Sequence, residues 1–152
     1  MYMSESNKEF LNKIPFFIDN SIEDMDIISK ITFSISYKAG ETIFEEGTIG
    51  DFICFLVLGS VEILKKDSSG NKKLFHHLYS PSVFGEMALL DNNIRSATVI
   101  ANTDVELGII RRNDFEKIIL NKPLLGLGII KKIAKILSSR LRKTNNKFIE
   151  YI

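Results

Sequence analysis

The sequence lacks the features that secreted and membrane-spanning proteins need. It has a single cysteine among 152 residues, Cys54, which excludes a disulfide framework within the chain. Residues Met1 to Glu9 do not combine a basic start with an apolar core, so they do not resemble a secretory signal. No uncharged stretch approaches the roughly eighteen apolar residues of a membrane span. We therefore expect a cytoplasmic protein without a membrane span.

The composition is that of an ordinary soluble domain. Hydrophobic residues make up 45% and charged residues 26% of the chain, which argues against disorder and against a fibrous protein. The net charge is +1, but the segment from Lys131 to Lys147 holds seven basic residues and no acid, so the remainder is mildly acidic. At this length we predict one domain over residues 1–152, with helices in 1–31, a β-roll in 32–111 and further helices in 112–152.

Turn-forming residues divide the first two thirds of the chain into short elements. Ser21 is a good N-cap for a helix over Ile22 to Ile31, with Asp24 at the third helical position, and Lys8 to Ile14 predicts a shorter helix before Pro15. Short β-rich runs at close spacing then predict an antiparallel roll or sandwich. The predicted strands cover residues 33–38, 42–44, 52–58, 61–65, 73–78, 94–101 and 105–111.

The pattern becomes helical after Asn113, a candidate N-cap, and continues beyond Pro123 as a long basic helix. An apolar stripe on this helix averages 3.5 residues per step, the repeat of a coiled-coil seam. It comprises Leu137, Leu141, Thr144, Phe148 and Tyr151. Such a stripe either covers its own β-roll as a lid or pairs with the same helix of a second chain. We expect a lid first and a weak homodimer second.

The candidate ligand-binding residues lie in the segment 84–99. Met87 to Leu90 predicts one helical turn whose free N–H groups suit an anion, and Gly85 lets the backbone approach that anion closely. Arg95 supplies a permanent positive charge with directional donors. Glu86 cannot contact an anion favourably, so its natural partner is a donor such as a ribose hydroxyl.

These residues resemble the phosphate-binding cassette of cyclic-nucleotide-binding domains. The resemblance extends to the glycine-punctuated segments 39–47 and 55–63 and covers nearly the whole chain. It implies a mainly β fold, an antiparallel β-roll of the jelly-roll-like double-stranded β-helix type, with N-terminal helices and a long C-terminal helix. The nine-residue step from Glu86 to Arg95 is similar to the cassette of cyclic-nucleotide-dependent kinases, and residues 139–145 are similar to the dimer helix of the bacterial catabolite activator type.

The resemblance also implies the ligand contacts. Glu86 would bind the ribose 2′-hydroxyl and Arg95 the exocyclic phosphate oxygens. The backbone that completes the phosphate cradle beside Gly85 is that of Met87, Ala88, Ser96 and Ala97. Thr144 and Asn145 fall where a threonine–serine pair reaches the adenine amino group, whereas the hydroxyl of Ser96 serves guanine in relatives that prefer it. Because Asn145 stands in place of the serine, both cAMP and cGMP remain candidate ligands.

Other chemistries have little support in the sequence. His76 and His77 are neighbours in a strand and point to opposite faces, so they do not favour a metal site. No serine or cysteine is paired with a histidine base, so we predict neither a catalytic site nor an enzyme. No helix-turn-helix follows the long helix before Ile152, and we expect no sequence-specific DNA binding.

We interpret the chain as a stand-alone cyclic-nucleotide receptor with no cofactor besides its ligand. Binding would move the C-terminal helices, and the signal would pass to an unidentified effector protein or through self-association. The alternative hypothesis is a degenerate domain that kept the roll, lost its ligand and serves as a ligand-independent protein-interaction module.

Overall fold

The computed structural model describes residues 6–91 and 94–151. They form two compact units, one that ends at Asp114 and one that begins at Phe115. The organisation as one domain over residues 1–152 stays a prediction.

Short helices precede the first strand. They are α1 (Ser6–Leu11), a 3-10 helix (Pro15–Phe17) and α2 (Ile22–Ile31). The predicted cap is confirmed, because the Ser21 side chain accepts a hydrogen bond from the backbone N–H of Asp24 at 3.1 Å. The helix predicted over Lys8 to Ile14 is wrong at its end. Ile14 adopts extended angles, φ −104° and ψ 101°, because a residue that precedes a proline clashes with the proline ring in the helical conformation.

Eight strands among the described residues form two antiparallel sheets, which confirms the predicted β-roll. The strands are β1 (Thr32–Tyr37), β2 (Thr42–Phe44), β3 (Phe52–Leu58), β4 (Ser60–Lys66), β5 (Lys72–Tyr79), β6 (Ser82–Phe84), β7 (Thr98–Ala101) and β8 (Val105–Arg111). One sheet has the strand order β1-β8-β3-β6 and the other β2-β7-β4-β5. A single turn of helix, α3 (Met87–Leu90), lies between β6 and β7.

The core of the first unit draws side chains from both sheets. Its buried residues are Ile43, Cys54, Leu56, Val61, Leu78, Phe84, Val99, Ala101, Val105 and Leu107. Cys54 is fully buried, and burial raises the pKa of its thiol, as expected of a cysteine that acts as a small hydrophobe. Because Phe84 ends β6 and Val99 lies in β7, this core anchors both ends of the segment that carries the predicted site.

Two strand predictions near that segment are corrected. Strand β6 is not among the predicted strands, because Ser80 and Pro81 directly before it favour a turn. The strand predicted over residues 94–101 begins only at Thr98. Ahead of it, Arg95 accepts a hydrogen bond from the N–H of Gly47 at 2.9 Å and donates one to the carbonyl of Thr48 at 2.7 Å. The chain then bends at residues 96–97, and this bend separates the pairing at Arg95 from strand β7.

Two helices follow β8 in the described part of the chain, α4 (Arg112–Asn121) and α5 (Pro123–Glu150). Asn113 is not the N-cap that the sequence predicts, because α4 starts directly after β8 and Asn113 lies in its first turn. The long helix is confirmed, and it starts at Pro123, a residue whose fixed φ suits the first helical position.

The two halves of α5 differ in burial. Leu125, Ile129 and Ile133 are buried, whereas every residue from 141 to 150 is exposed. None of the described helices combines the length and the apolar character that crossing a bilayer requires.

Candidate ligand-binding site

Gly85 forms the bend between β6 and α3. Its φ is +73°, in the left-handed region that glycine adopts without a steric penalty. A Cβ at this position would lie 2.7 Å from Nη1 of Arg95. Any other residue would therefore strain the backbone and displace the guanidinium.

The side chain of Arg95 is buried between aromatic rings and backbone carbonyls. Only 4% of its surface is exposed. Its guanidinium carbon lies 3.9 Å from the centre of the Phe44 ring and 4.4 Å from that of Phe52, so the cation occupies the corner of an edge-to-face aromatic pair. Nη1 donates to the carbonyl of Gly85 at 3.3 Å and Nη2 to the carbonyl of Phe52 at 2.9 Å.

The third nitrogen of this buried guanidinium differs from the two Nη atoms. Nε of Arg95 is buried and has no hydrogen-bond partner among the described residues. Burial lowers the pKa of Arg95, while the negative charges of Asp51 and Glu86 act in the opposite direction. An arginine nevertheless stays charged at neutral pH. Because a buried charge with an unsatisfied donor is costly, this arrangement favours an anionic partner for Arg95.

Glu86 lies directly before α3 and is 5% exposed. Its backbone is helical and its side chain does not cap the helix. Ala88, in the same turn, is 4% exposed, whereas Met87 is 48% exposed. The turn thus presents Met87 outward and directs Ala88 into the unit.

A cavity of 470 Å³ opens beside the cassette, within the size range of small-molecule sites. Three of the predicted site residues line it, namely Met87, Arg95 and Ser96. Its remaining lining residues are Glu46, Gly47, Lys65, Lys66, Asp91 and Ile94. The other predicted cassette residues, Gly85, Glu86, Ala88 and Ala97, lie in the same segment but do not line this cavity.

Thr144 and Asn145, the predicted base contacts, lie in the exposed half of α5. The Thr144 hydroxyl donates to the carbonyl of Arg140 at 3.0 Å, one turn earlier in the same helix. Their role toward a base stays a prediction.

Sequence reasoning missed several residues that contact the cassette. Nζ of Lys65 donates to the carbonyl of Ser96 at 2.5 Å, and the guanidinium of Arg112 donates to the carbonyls of Ala88 and Gly50. Phe44 and Phe52, whose rings contact the guanidinium of Arg95, were not predicted either. These residues lie up to 62 positions from their partners, so no local pattern identifies them.

No group of three or more histidine, cysteine, aspartate or glutamate side chains among residues 6–91 and 94–151 is placed to hold a metal ion. His77 instead stacks on Tyr79, with ring centres 6.2 Å apart.

Comparison with known families assigns the chain independently of this geometry. A family model described as "Cyclic nucleotide-binding domain" matches residues 34–122, which is more than half of the chain. The chain therefore belongs to the cyclic nucleotide-binding domain family, and the family predicted from residues 84–99 is confirmed.

Two relatives and one solved structure illustrate the breadth of the match. The "cAMP-dependent protein kinase regulatory subunit" of Aspergillus fumigatus is 36% identical over 110 residues, which are 72% of this chain and 26% of that protein. The "Cyclic AMP receptor protein" of Thermus thermophilus is 29% identical over 131 residues, which are 86% of this chain and 59% of that protein. A cyclic nucleotide-binding domain from Methylobacillus flagellatus has a TM-score of 0.83 at 22% identity and shows the same fold, with 97% of this chain and 83% of that chain covered. The chain thus spans about a quarter of the first relative and about three fifths of the second.

Proposed function

We propose that the protein binds cAMP through the cassette at residues 84–99 and acts as a regulatory receptor rather than as an enzyme. The observation that carries this proposal is the buried Arg95, whose charge and unpartnered Nε call for an anion beside the cassette. A cyclic phosphodiester is a monoanion that accepts directional hydrogen bonds. Two similar proteins, one fungal and one bacterial, are named for cAMP, and this favours adenine over guanine.

The donors of Arg95 suffice for such a ligand without loss of the present hydrogen bonds. A guanidinium has five N–H donors, and the bonds to Gly85 and Phe52 use one on each Nη atom. Nε and the second hydrogens of both Nη atoms remain for the exocyclic phosphate oxygens. The two carbonyls then hold the guanidinium plane in place, which reduces the entropy lost when the phosphate binds.

The other contacts follow from the family resemblance. We assign the ribose 2′-hydroxyl to the carboxylate of Glu86, and the remaining phosphate contacts to the backbone N–H groups of Met87, Ala88, Ser96 and Ala97. Lys65 adds a cation to the cavity wall next to Ser96. Lys65, Lys66 and Arg95 outnumber the acids Glu46 and Asp91 in the cavity lining. This excess of positive charge raises the local concentration of an anionic ligand and speeds its association.

The proposed output is a ligand-dependent movement of the C-terminal helices. A ligand shifts such an equilibrium only if it binds the two conformations with different affinities. The exposed side chains of Leu141, Phe148 and Tyr151 offer an apolar surface for that purpose, either as a lid over the base or as a contact to an effector protein or a second copy. We also propose a cytoplasmic location and no sequence-specific binding to DNA.

One observation favours a second candidate function. Both Nη atoms of Arg95 already donate to protein carbonyls, and two aromatic rings cover the cation. A domain that had lost its ligand and serves only as a protein-interaction module would also satisfy its arginine internally in this way.

A titration separates the two functions. We would measure thermal unfolding and calorimetric binding with cAMP, with cGMP and, as the control, with linear 5′-AMP. A ligand that binds only the folded state raises the melting temperature, by an amount that grows with its concentration above Kd. Binding of cAMP in preference to 5′-AMP supports the receptor. The absence of binding by both cyclic nucleotides at millimolar concentration would reject it in favour of the interaction module.

A further inference from the structure

Arg112 connects three backbone segments of the first unit. Its Nε donates to the carbonyl of Ala88 in α3 at 2.9 Å, and Nη2 donates to the same carbonyl and to that of Gly50. The backbone N–H of Arg112 itself donates to the carbonyl of Asp51 at 2.8 Å. A half-buried guanidinium thus binds α3 and the chain before β3 at once, in charge-assisted hydrogen bonds.

Gly50 lies at the centre of this arrangement. A Cβ on Gly50 would lie 2.4 Å from the Cβ of Ala88 and 3.0 Å from Nε of Arg95. The backbone at Gly50 is therefore in close contact both with α3 and with the unpartnered nitrogen of Arg95. Whatever holds Ala88 against Gly50 also sets the distance between α3 and the guanidinium of Arg95.

We propose that Arg112 is a positioning residue for the cassette, which holds α3 against Gly50 so that the N–H groups of Met87 and Ala88 and the guanidinium of Arg95 reach the same cyclic phosphate. This inference rests on the proposed function, because it assigns a further residue to the same site. Arg112 acts through α3 and does not line the cavity beside the cassette.

The charges agree with this role. Burial is the main cause of the lowered pKa of Arg95, and the positive charge of Arg112 lowers it further, because the two cations repel each other. Two guanidinium groups held near each other by backbone carbonyls form a positive region, which a phosphate monoanion between α3 and Arg95 would stabilise. Loss of Arg112 would remove both its repulsion of Arg95 and the hydrogen bonds that fix α3. We therefore expect its main effect on the position of α3 relative to Arg95 rather than on the electrostatic attraction of the phosphate.

The chain offers a matched control next to Arg112. Arg111 carries the same charge, but its guanidinium lies 4.7 Å from the centre of the Phe33 ring in β1. Arg111→Gln and Arg112→Gln therefore change the net charge equally at adjacent positions. Arg112→Lys keeps the charge, but its donors are all on one nitrogen, so it cannot reproduce the fork of the guanidinium.

The test compares cAMP with its two phosphorothioate diastereomers, in which sulfur replaces one or the other exocyclic oxygen. A site with a guanidinium on one side of the phosphate and backbone N–H groups on the other must distinguish the two. General destabilisation of the fold would weaken both diastereomers by the same factor. Displacement of α3 would weaken mainly the contacts to one oxygen, so the ratio of the two affinities would fall.

In calorimetry we expect Arg112→Gln to weaken cAMP binding roughly ten- to a hundredfold, the range for charged hydrogen bonds, and to reduce the discrimination between diastereomers. Arg112→Lys should be intermediate, and Arg111→Gln should stay within about twofold of the wild type.

If Arg112→Gln does not fold, Arg112→Lys alone carries the test. Wild-type affinity in a folded Arg112 variant, or an affinity loss with unchanged discrimination, would overturn the inference. Failure of the wild-type protein to bind any cyclic nucleotide would instead overturn the proposed function.

Discussion

Replacing Arg95 by leucine tests the proposed phosphate contact with little disturbance of its surroundings. Leucine keeps an apolar side chain in the corner between Phe44 and Phe52 and removes the guanidinium. The carbonyls of Gly85 and Phe52 lose their donors, but the unfavourable burial of a charge with an unpartnered Nε disappears as well. We therefore expect a folded variant whose stability changes by about 0.5–3 kcal/mol.

The effect on binding should be much larger. Removing one partner of a desolvated, hydrogen-bonded charge pair costs on the order of 2–4 kcal/mol. At about 1.4 kcal/mol for each factor of ten, the dissociation constant for cAMP should rise roughly thirtyfold to a thousandfold. The estimate applies because Arg95 is 4% exposed, so solvent screens its charge only weakly.

Isothermal titration calorimetry on the wild type and on Arg95→Leu measures this change directly. Circular dichroism and a thermal melt without ligand establish that the variant is folded, and Arg111→Leu controls for the lost charge. An unchanged dissociation constant in folded Arg95→Leu would refute the assignment of the phosphate to this residue.

Three further predictions concern other parts of the chain. Glu86→Gln should weaken binding of cAMP more than binding of 2′-deoxy-cAMP, because the deoxy ligand already lacks the hydroxyl; equal losses in calorimetry would place Glu86 in another role. Truncation after Leu141 should speed ligand release without unfolding the roll if the exposed half of α5 serves as a lid; stopped-flow release and sedimentation decide, and unaltered release with loss of a dimer would favour a coiled-coil seam instead. Hydrogen bonds from Lys8 and Lys30 lower the pKa of the Asp26 carboxyl from 3.8 to about 2. A carboxyl whose pKa is lower in the folded state stabilises the fold at pH values above its unfolded pKa, and this stabilisation is lost as the pH falls through the folded pKa. Asp26→Asn should therefore unfold slightly more easily than the wild type at pH 6, and this difference should shrink as the pH falls from 3.8 to about 2 and vanish below that value. A difference in urea unfolding that is as large at pH 2 as at pH 6 would contradict the ion-pair explanation.

The fold was largely predictable because its signals recur along the chain. Strands β2, β3 and β8 have the bounds that the sequence predicts, since turn residues flank each apolar run. Errors occurred where a neighbouring segment decides the conformation. The strand expected over 94–101 starts late because the chain forms only an isolated bridge between Ile49 and Ile94 and then bends at residues 96–97. The helix expected after Asn113 starts at Arg112.

The sequence by itself determined the features whose causes are local. Ser21 and Asp24 start a helix because residues three apart share a hydrogen bond. Gly85, Glu86 and Arg95 predict a cassette because their residue types and spacing fall within one short segment, and the family that this segment indicated is the one whose model matches residues 34–122.

Only the tertiary structure decided what surrounds those residues. Phe52 lies 43 positions from Arg95, and Arg112 lies 24 positions from its acceptor Ala88. Which side chains meet across antiparallel strands depends on the register, and a slip of one residue turns each side chain to the opposite face. The aromatic corner, the hydrogen bond of Lys65 to the Ser96 carbonyl and the position of Arg112 behind α3 therefore emerge only when the two sheets have folded together.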